Sequence, residues 1–438
     1  MRSLPILAAA LLSLTACETV SDILARDKTP LPGERIAVLT DDSELKSDAA
    51  GDVVLPRPAV NDSWPQSGGF ANFAMHHLEI ADAPREVWSV DVGSGSGSDR
   101  HLLTPPVVAN GRVFVKDSQA TVTAYEAASG RQLWRVTLKS KGGRDDNEFG
   151  GGLAFYGNRL FVTTGFAEVM SLNPDDGAVV WRKSVSAPVR GAPTVFADRV
   201  FAISIDNKLH ALAAIDGAEL WEFAALQENA GFLSGPSPSA SAEFVVAPFS
   251  SGELVALRLD SGRQVWNESL IAQRRGGAQS LAALSDIRGR PVIDRGKVLA
   301  IGSAGQIGAF ELRSGARLWD KPIAGSGTPW VAGRHVFILS GNNEIVCLDR
   351  EDGKIRWVTP LTLYTDQRRR QTAIWVGPVL AGDRLLIGGG GGELLAISPY
   401  DGQPIGKVSV GSAVMVAPVI ADRTIYVLTD SGRLVALR

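Results

Sequence analysis

The stretch LDSGRQVW, Leu259–Trp266, places a glycine four residues before a tryptophan, and the chain repeats this spacing. The other copies are ASGRQLW (128–134), DDGAVVW (175–181), IDGAELW (215–221), RSGARLW (313–319) and EDGKIRW (351–357). Trp88 begins the series, and Gly406 takes the tryptophan position after YDGQPI. From 88 to 406 the mean spacing is about 45 residues. A repeat of that length is typical of β-propeller blades with four strands each.

One repeat shows where its strands lie. Residues 192–196, 200–204, 208–213 and 219–223 are apolar or alternating runs, separated by turn residues such as Asp206-Asn207 and Asp216-Gly217. Asn and Gly accept the positive φ angles of tight hairpins, so these turns predict antiparallel strands. We expect each Gly-x3-Trp unit to lock one blade to its neighbour.

The two ends of the repeat region complement each other. Residues 417–438 supply three strands without a fourth, whereas PREVWSVDVG (84–93) supplies a fourth strand without the first three. Joined, they complete one blade and close the ring, which removes both exposed sheet edges. The sequence therefore predicts an all-β, eight-bladed propeller over residues 84–438, with four antiparallel strands per blade and one blade shared by the two ends.

A small residue lies six positions before each glycine of the series. A shallow slot beside an indole ring explains this preference, and it predicts that Cys347 is a buried packing thiol and not a nucleophile. The members of the set are Ala124, Ser171, Ala211, Ala256, Ala309, Cys347 and Ala396.

The N-terminus, MRSLPILAAALLSLTAC, contains an apolar run too short to cross a bilayer comfortably. It predicts a cleaved export signal over residues 1–16. Residues 14–17, LTAC, resemble the bacterial lipobox, which implies that Cys17 is lipidated and anchors the protein. An ordinary signal peptide with a chance cysteine is the alternative. Glu18 follows, and by resemblance to Gram-negative lipoproteins it implies the inner leaflet of the outer membrane.

Residues 17–83 differ from the repeats because they are rich in Pro, Asp, Ser and Gly and have no sustained period. This composition predicts an extended tether whose later part Trp64 and Phe70 attach to the folded domain. The adjacent histidines 76 and 77 are expected to be solvated there.

The composition excludes several classes of function. A net charge of −3 gives no global basic field for nucleic acid. The two cysteines form no CxxC motif, and the five histidines have no metal-ligand spacing. No catalytic constellation, cofactor motif or metal site is predicted. The basic clusters at 273–277 and 367–370 suit solvated loops or the docking of an acidic partner.

The repeat VTAYEAASGRQLW (122–134) resembles that of the pyrroloquinoline-quinone-like (PQQ-like) propellers. The quinoprotein dehydrogenases of this superfamily have a vicinal cysteine pair, which is absent here. The BamB family, lipoproteins of the outer-membrane β-barrel assembly (BAM) machine, combines a lipobox, a linker, eight blades and no cofactor. That resemblance implies a non-enzymatic scaffold at the cell outer membrane, facing the periplasm, which binds a POTRA domain of BamA and assists folding and insertion of β-barrel proteins. A PQQ-dependent dehydrogenase and a periplasmic polymer-binding propeller are the alternatives.

The resemblance also implies a partner-binding patch on two inter-blade segments. SAPVRGAP (186–193) carries Val189 and Arg190, and AALSDIRGRP (282–291) carries Leu284 and Asp286. Arg190 would donate charge-assisted hydrogen bonds, Val189 and Leu284 would supply apolar contact, and Asp286 would shape the polar edge. The chain departs from the family pattern at Arg288, where a second acidic residue is expected. A further hypothesis is that exposed blade edges hold unfolded client strands.

Overall fold

In a computed structural model, the described part of the protein is built around eight four-stranded antiparallel sheets. The structure describes residues 45–49, 51–97, 104–140, 150–226, 235, 237–271, 286–303, 305–365 and 371–438. Within these ranges it contains 32 strands and no helix, and so no helix long and apolar enough to cross a membrane. The predicted eight-bladed β-propeller with four antiparallel strands per blade is confirmed.

Each blade runs outward from the central axis in four strands. The innermost strands are β2 (Val107–Ala109), β6 (Leu153–Tyr156), β10 (Thr194–Phe196), β14 (Ser239–Ala240), β18 (Val292–Asp294), β22 (Trp330–Ala332), β26 (Trp375–Ala381) and β30 (Val419–Ala421). The second strands are β3 (Arg112–Lys116), β7 (Arg159–Thr164), β11 (Arg199–Ser204), β15 (Phe244–Pro248), β19 (Lys297–Ile301), β23 (His335–Leu339), β27 (Arg384–Gly389) and β31 (Thr424–Leu428). The third strands are β4 (Thr121–Glu126), β8 (Glu168–Leu172), β12 (Lys208–Ala213), β16 (Glu253–Arg258), β20 (Ile307–Glu311), β24 (Glu344–Asp349), β28 (Glu393–Ile397) and β32 (Arg433–Leu437). The outer strands are β5 (Gln132–Thr137), β9 (Val179–Ser184), β13 (Glu219–Ala224), β17 (Gln264–Ser269), β21 (Arg317–Lys321), β25 (Ile355–Pro360), β29 (Pro404–Ser409) and β1 (Glu86–Asp91).

The ring closes where the sequence predicts. Strand β1 pairs antiparallel with β32, with Ser89 opposite Val435, and completes the blade formed by β30, β31 and β32. We call this the closing blade, and we number the others one to seven in chain order from β2–β5 to β26–β29. The second strands are almost entirely buried because neighbouring blades cover both of their faces.

The glycine and the tryptophan of one repeat contribute to two different blade interfaces. Each tryptophan ring lies against the glycine of the following blade, where an added Cβ would come within 2.5–2.8 Å of the indole. Each indole Nε1 donates a hydrogen bond of 2.8–3.2 Å to the carbonyl three residues before that glycine. The glycines have φ between +68° and +75°, which only glycine adopts easily. The seven pairs are Trp88–Gly130, Trp134–Gly177, Trp181–Gly217, Trp221–Gly262, Trp266–Gly315, Trp319–Gly353 and Trp357–Gly402.

The small residues of the repeat lie directly opposite the tryptophans on the adjacent strand. Ala211 pairs with Trp221 and Cys347 pairs with Trp357, and a register shift follows each pair. Cys347 has no exposed surface, and its Sγ lies 3.9 Å from His335 Nδ1. Burial raises the pKa of the Cys347 thiol well above its ordinary value. The prediction of a buried packing thiol is confirmed.

We expect Cys347 to resist alkylation in the folded protein, because the thiolate is the reactive form and both burial and the raised pKa suppress it. Mass-spectrometric mapping after iodoacetamide treatment should find Cys347 unmodified without denaturant and modified in urea. A cysteine placed at the exposed Ser129 provides the positive control. Rapid native modification of Cys347 would contradict this packing.

The segment from residue 46 onward, predicted as part of a tether, packs against the propeller and belongs to the same compact unit. Residues 59–80, which we call the plug, hydrogen-bond with all eight innermost strands. The bonded pairs are Trp64 with Val108, Pro65 with Phe155, Gln66 with Val195, Ala71 with Ala240, Asn72 with Ile293, His76 with Trp330, Leu78 with Leu380, and Asn61 with Ile420. Seven of these pairs satisfy backbone groups of the innermost strands, and in the eighth the Trp330 indole donates to the His76 carbonyl.

Apolar side chains reinforce the plug. Trp64 is 3% exposed and stacks on Trp330, with ring centroids 6.3 Å apart. Phe70, expected to help, is 44% exposed, and Phe73 is buried instead. His77 is buried rather than solvated, because its Nδ1 donates to the Pro56 carbonyl at 2.7 Å and its Nε2 accepts the Asp383 N–H at 3.0 Å. Residues 1–44, including Cys17 and the export signal, lie outside the described residues.

Candidate docking surface

Val189 lies in the connection between β9 and β10, from blade two to blade three. It has no exposed surface, its N–H donates to the Thr164 carbonyl at 3.2 Å, and it forms a bridge with Ser204 of β11. The structure therefore places Val189 between two blades, where its side chain is not available at the surface. The backbone of Arg190 follows directly from this buried position.

Arg190 is that residue, and it is partly exposed. Its carbonyl accepts the Gly151 N–H at 2.9 Å, and a Cβ on Gly150 would lie 2.8 Å from the Arg190 Cα. A Cβ on Gly235 would lie 3.0 Å from the Arg190 Cβ. Partial burial lowers the pKa of the Arg190 guanidinium below its usual value. Arg190 thus lies where the connections into blades two, three and four meet, and two glycines allow its backbone to approach them closely.

Asp286 lies in the connection into β18 of blade five. It is 5% exposed, and its carbonyl accepts the Ser303 N–H at 3.0 Å. Burial lowers the pKa of the nearby Arg288 guanidinium, whereas the negative charge of Asp286 opposes that shift. Leu284 and the basic clusters at 273–277 and 367–370 lie outside the described residues.

A central cavity of about 250 Å³ connects these two segments. Gly235, which contacts Arg190, lines one part of it, and Arg288 lines another. The described residues thus bring Arg190 and the 286–290 segment to the same end of the channel. The turns that join each innermost strand to the second strand, beside the plug, are at the opposite end. We call Arg190, Asp286 and Arg288 the rim set.

Arg290 is a channel residue that the sequence reasoning missed. Desolvation lowers the pKa of its guanidinium to about 10. Its guanidinium carbon lies 5.7 Å from the Phe73 ring centroid, and its Nη1 lies 3.4 Å from Thr328 Oγ1. The alternation Arg288-Gly-Arg290 just before an innermost strand was the available signal, because residues at that place in a blade face the channel.

The described lining of the central cavity includes two arginines, four aromatic side chains and several serine and threonine hydroxyls, but no carboxylate. Calcium in proteins takes carboxylate and carbonyl oxygens, so this lining suits an anionic group better than a divalent cation. Among the described residues no group of three or more His, Cys, Asp or Glu side chains is arranged to hold a metal.

A family model described as Outer membrane protein assembly factor BamB matches residues 78–146, 119–359 and 366–438. The chain belongs to the BamB family. The matched ranges cover the propeller and begin within the plug, so the family assignment and the observed fold describe the same part of the chain.

The similarity to curated members of the BamB family extends over most of this chain and most of theirs. The outer membrane protein assembly factors BamB of Moranella endobia (strain PCIT) and Yersinia pestis are 27% and 28% identical over 369 and 365 residues. These alignments cover 83% and 82% of this chain and 92% and 90% of the relatives. These relatives are named as assembly factors and not as enzymes.

Solved structures show the same fold. BamB from Moraxella catarrhalis matches with a TM-score of 0.66 at 17% identity, covering 81% of this chain and all of that one. A quinohemoprotein alcohol dehydrogenase from Pseudomonas putida HK5 also has a TM-score of 0.66, at 12% identity, covering 86% of this chain and 80% of that one. At these identities the likeness concerns the propeller architecture, which BamB shares with quinoprotein enzymes.

Proposed function

We propose that this chain is a non-enzymatic, lipid-anchored scaffold subunit of the outer-membrane β-barrel assembly complex. It would be attached through Cys17 to the inner leaflet of the outer membrane, face the periplasm, and bind a POTRA domain of BamA. In that place it would assist folding and insertion of β-barrel proteins. The observation that carries the proposal is the family match across the propeller, which covers residues 78–438 except 360–365.

The rim set supplies a physical basis for partner binding. Arg190 has a partly desolvated guanidinium on a closely packed backbone, so the base of its side chain is fixed and its charge is available to pair with a partner carboxylate. Val189 holds the Arg190 backbone from within the blade interface. Arg288, which is partly exposed, would form the polar edge with the buried Asp286 behind it, and Leu284 would add apolar contact. The exposed outer strands give unfolded clients a second mode of attachment, by strand addition.

Arg190→Ala is expected to weaken binding to a purified POTRA-containing partner about thirtyfold, since truncating a central interface arginine typically costs ~2 kcal/mol. Isothermal titration with the full chain measures this directly, and affinity purification from detergent-solubilised membranes checks it in place. Arg263→Ala is the matched control, because Arg263 is exposed in the turn at the opposite end of β17 from the inter-blade connections.

Two results would contradict the proposal at different levels. Equal binding by Arg190→Ala and Arg263→Ala would place the docking surface elsewhere on the propeller. Failure of the wild-type chain to retain any POTRA-containing protein would remove the assembly function itself, and mass spectrometry of the intact protein for a bound quinone would then test the dehydrogenase alternative.

A further inference from the structure

One of the eight blade interfaces lacks the tryptophan and glycine that fill the others. Between blade seven and the closing blade, Gly406 takes the tryptophan position, opposite Ala396, which is in turn opposite Leu386. In blade six the corresponding row is Phe337, Cys347 and Trp357. In the other blades the glycine lies in the turn between the third and the outer strand. The closing blade lacks this turn, because its third strand, β32, and its outer strand, β1, are not consecutive in the chain. This interface therefore contains no indole.

A cleft of about 440 Å³ lies at this place, and we call it the seam cleft. A Cβ on Gly406 would meet no atom within 4 Å, whereas at Gly402 in the same blade it would meet the Trp357 ring. The walls are mainly aliphatic and are contributed by Leu386, Leu394, Ile405, Val408, Ile425 and Leu437. The outer strand β29 borders the cleft. Among the eight outer strands, all of which are described, only β29 has every residue exposed.

The polar lining of the seam cleft is predominantly basic. The side chains of Arg85 and Lys407 make no hydrogen bond or ion pair with the described residues. Arg384 donates to the carbonyls of Gly382 and Asp82, at 3.0 and 2.9 Å, and not to a carboxylate. Asp82 supplies the single carboxylate of the lining, against three cations. The charges around the cleft therefore favour an acidic occupant.

We propose that the seam cleft is a docking site for an aromatic side chain carried by an extended, acidic segment of a partner protein. The seven other interfaces show that an aromatic ring fits this position, since an indole fills it in each of them. Carboxylates on either side of the aromatic residue pair with Arg85 and Lys407. The backbone of the segment lies along the edge of β29, which ends its sheet and offers unpaired hydrogen-bonding groups.

The test uses a short synthetic peptide with a central tryptophan flanked by aspartates, Ser-Asp-Thr-Trp-Thr-Asp-Ser, and a control peptide with alanine in place of tryptophan. Binding to the full chain is measured by fluorescence titration of a labelled peptide. We expect the tryptophan peptide to bind wild type and Gly406→Trp to weaken it by about tenfold or more, because the new indole fills the cleft. The same variant should melt at a higher temperature than wild type, since the new indole buries apolar surface in the cleft.

Lys407→Glu keeps the cleft open and reverses one charge, so it tests the proposal even if Gly406→Trp folds poorly. It should weaken the acidic peptide about fivefold at low salt and have less effect at high salt. Undiminished binding to Gly406→Trp, or equal binding of the alanine peptide, would overturn the proposal. Concentration-dependent dimerisation of wild type that Gly406→Trp abolishes would overturn it too, because the occupant would then be a second copy of this chain.

Discussion

Replacing Trp181 with alanine is expected to lower the free energy of unfolding by about 3–5 kcal/mol, the range for deleting a buried aromatic side chain. The ring is 9% exposed, its centroid lies 6.0 Å from that of Phe161, and its Nε1 donates to the Ala214 carbonyl at 3.0 Å. Because Ala214 and Gly217 belong to the next blade, the substitution opens the interface between blades two and three. Urea unfolding followed by circular dichroism measures the loss.

Two controls on the same strand separate the contributions. Trp181→Phe keeps an aromatic ring and loses the hydrogen bond to Ala214, so an intermediate loss is expected. Val180→Ala removes an apolar side chain that is 48% exposed, and should change the stability by no more than about 0.5 kcal/mol. A Trp181→Ala protein that unfolds at the same urea concentration as Val180→Ala would contradict the proposed interface.

Double-mutant cycles show which glycine the Trp181 ring contacts. Gly217→Ala is destabilising alone, because φ is +75° and the new Cβ would lie 2.6 Å from Trp181 Cε3. Part of that cost disappears when the ring is absent, so Trp181→Ala and Gly217→Ala should be non-additive. Gly177 is closer to Trp181 in sequence but faces Trp134, so Gly177→Ala and Trp181→Ala should add. The reverse pattern would mean that Trp181 contacts the glycine of its own repeat, Gly177.

The blade number, the strand positions and the closure could be predicted because they depend on local, repeated signals. In the repeat at 192–223, the third strand was predicted at 208–213 and lies at Lys208–Ala213. The contact of Trp181 with Gly217 of the next blade could not be predicted, since it depends on how consecutive blades rotate about the axis. The sequence gives the spacing of the two residues but not the identity of their neighbours.

The sequence predicted an attachment through Trp64 but not the extent of the plug, because the contacts that stabilise the plug are non-local and irregular. Residues such as Asn61 and Gln66 look solvated in sequence, yet they bond to Ile420 and Val195, three blades apart in the ring. No periodicity marks a segment that meets eight different strands once each. The buried position of Val189 was missed for a related reason, because an apolar residue beside an arginine reads equally well as surface contact or as core.

Replacing Trp64 with alanine is the second large effect, with an expected loss of about 3–5 kcal/mol. Its backbone bonds in both directions to Val108, at 2.7 and 2.9 Å, and its ring stacks on Trp330 on another side of the channel. Removing the ring withdraws the plug's main apolar contact with both blades. Thermal melting should detect the loss, and limited proteolysis should show new cleavage within residues 59–80.

Phe70→Ala is the matched control, because Phe70 lies in the same segment and is 44% exposed, so its truncation should cost little. Trp64→Phe should also be mild, because it keeps an aromatic ring to stack on Trp330 and breaks no hydrogen bond to a described residue. That contrasts with Trp181→Phe, which loses a made bond. If Trp64→Ala melted like Phe70→Ala and gained no cleavage site, residues 59–80 would contribute little to stability and a tether would describe them after all.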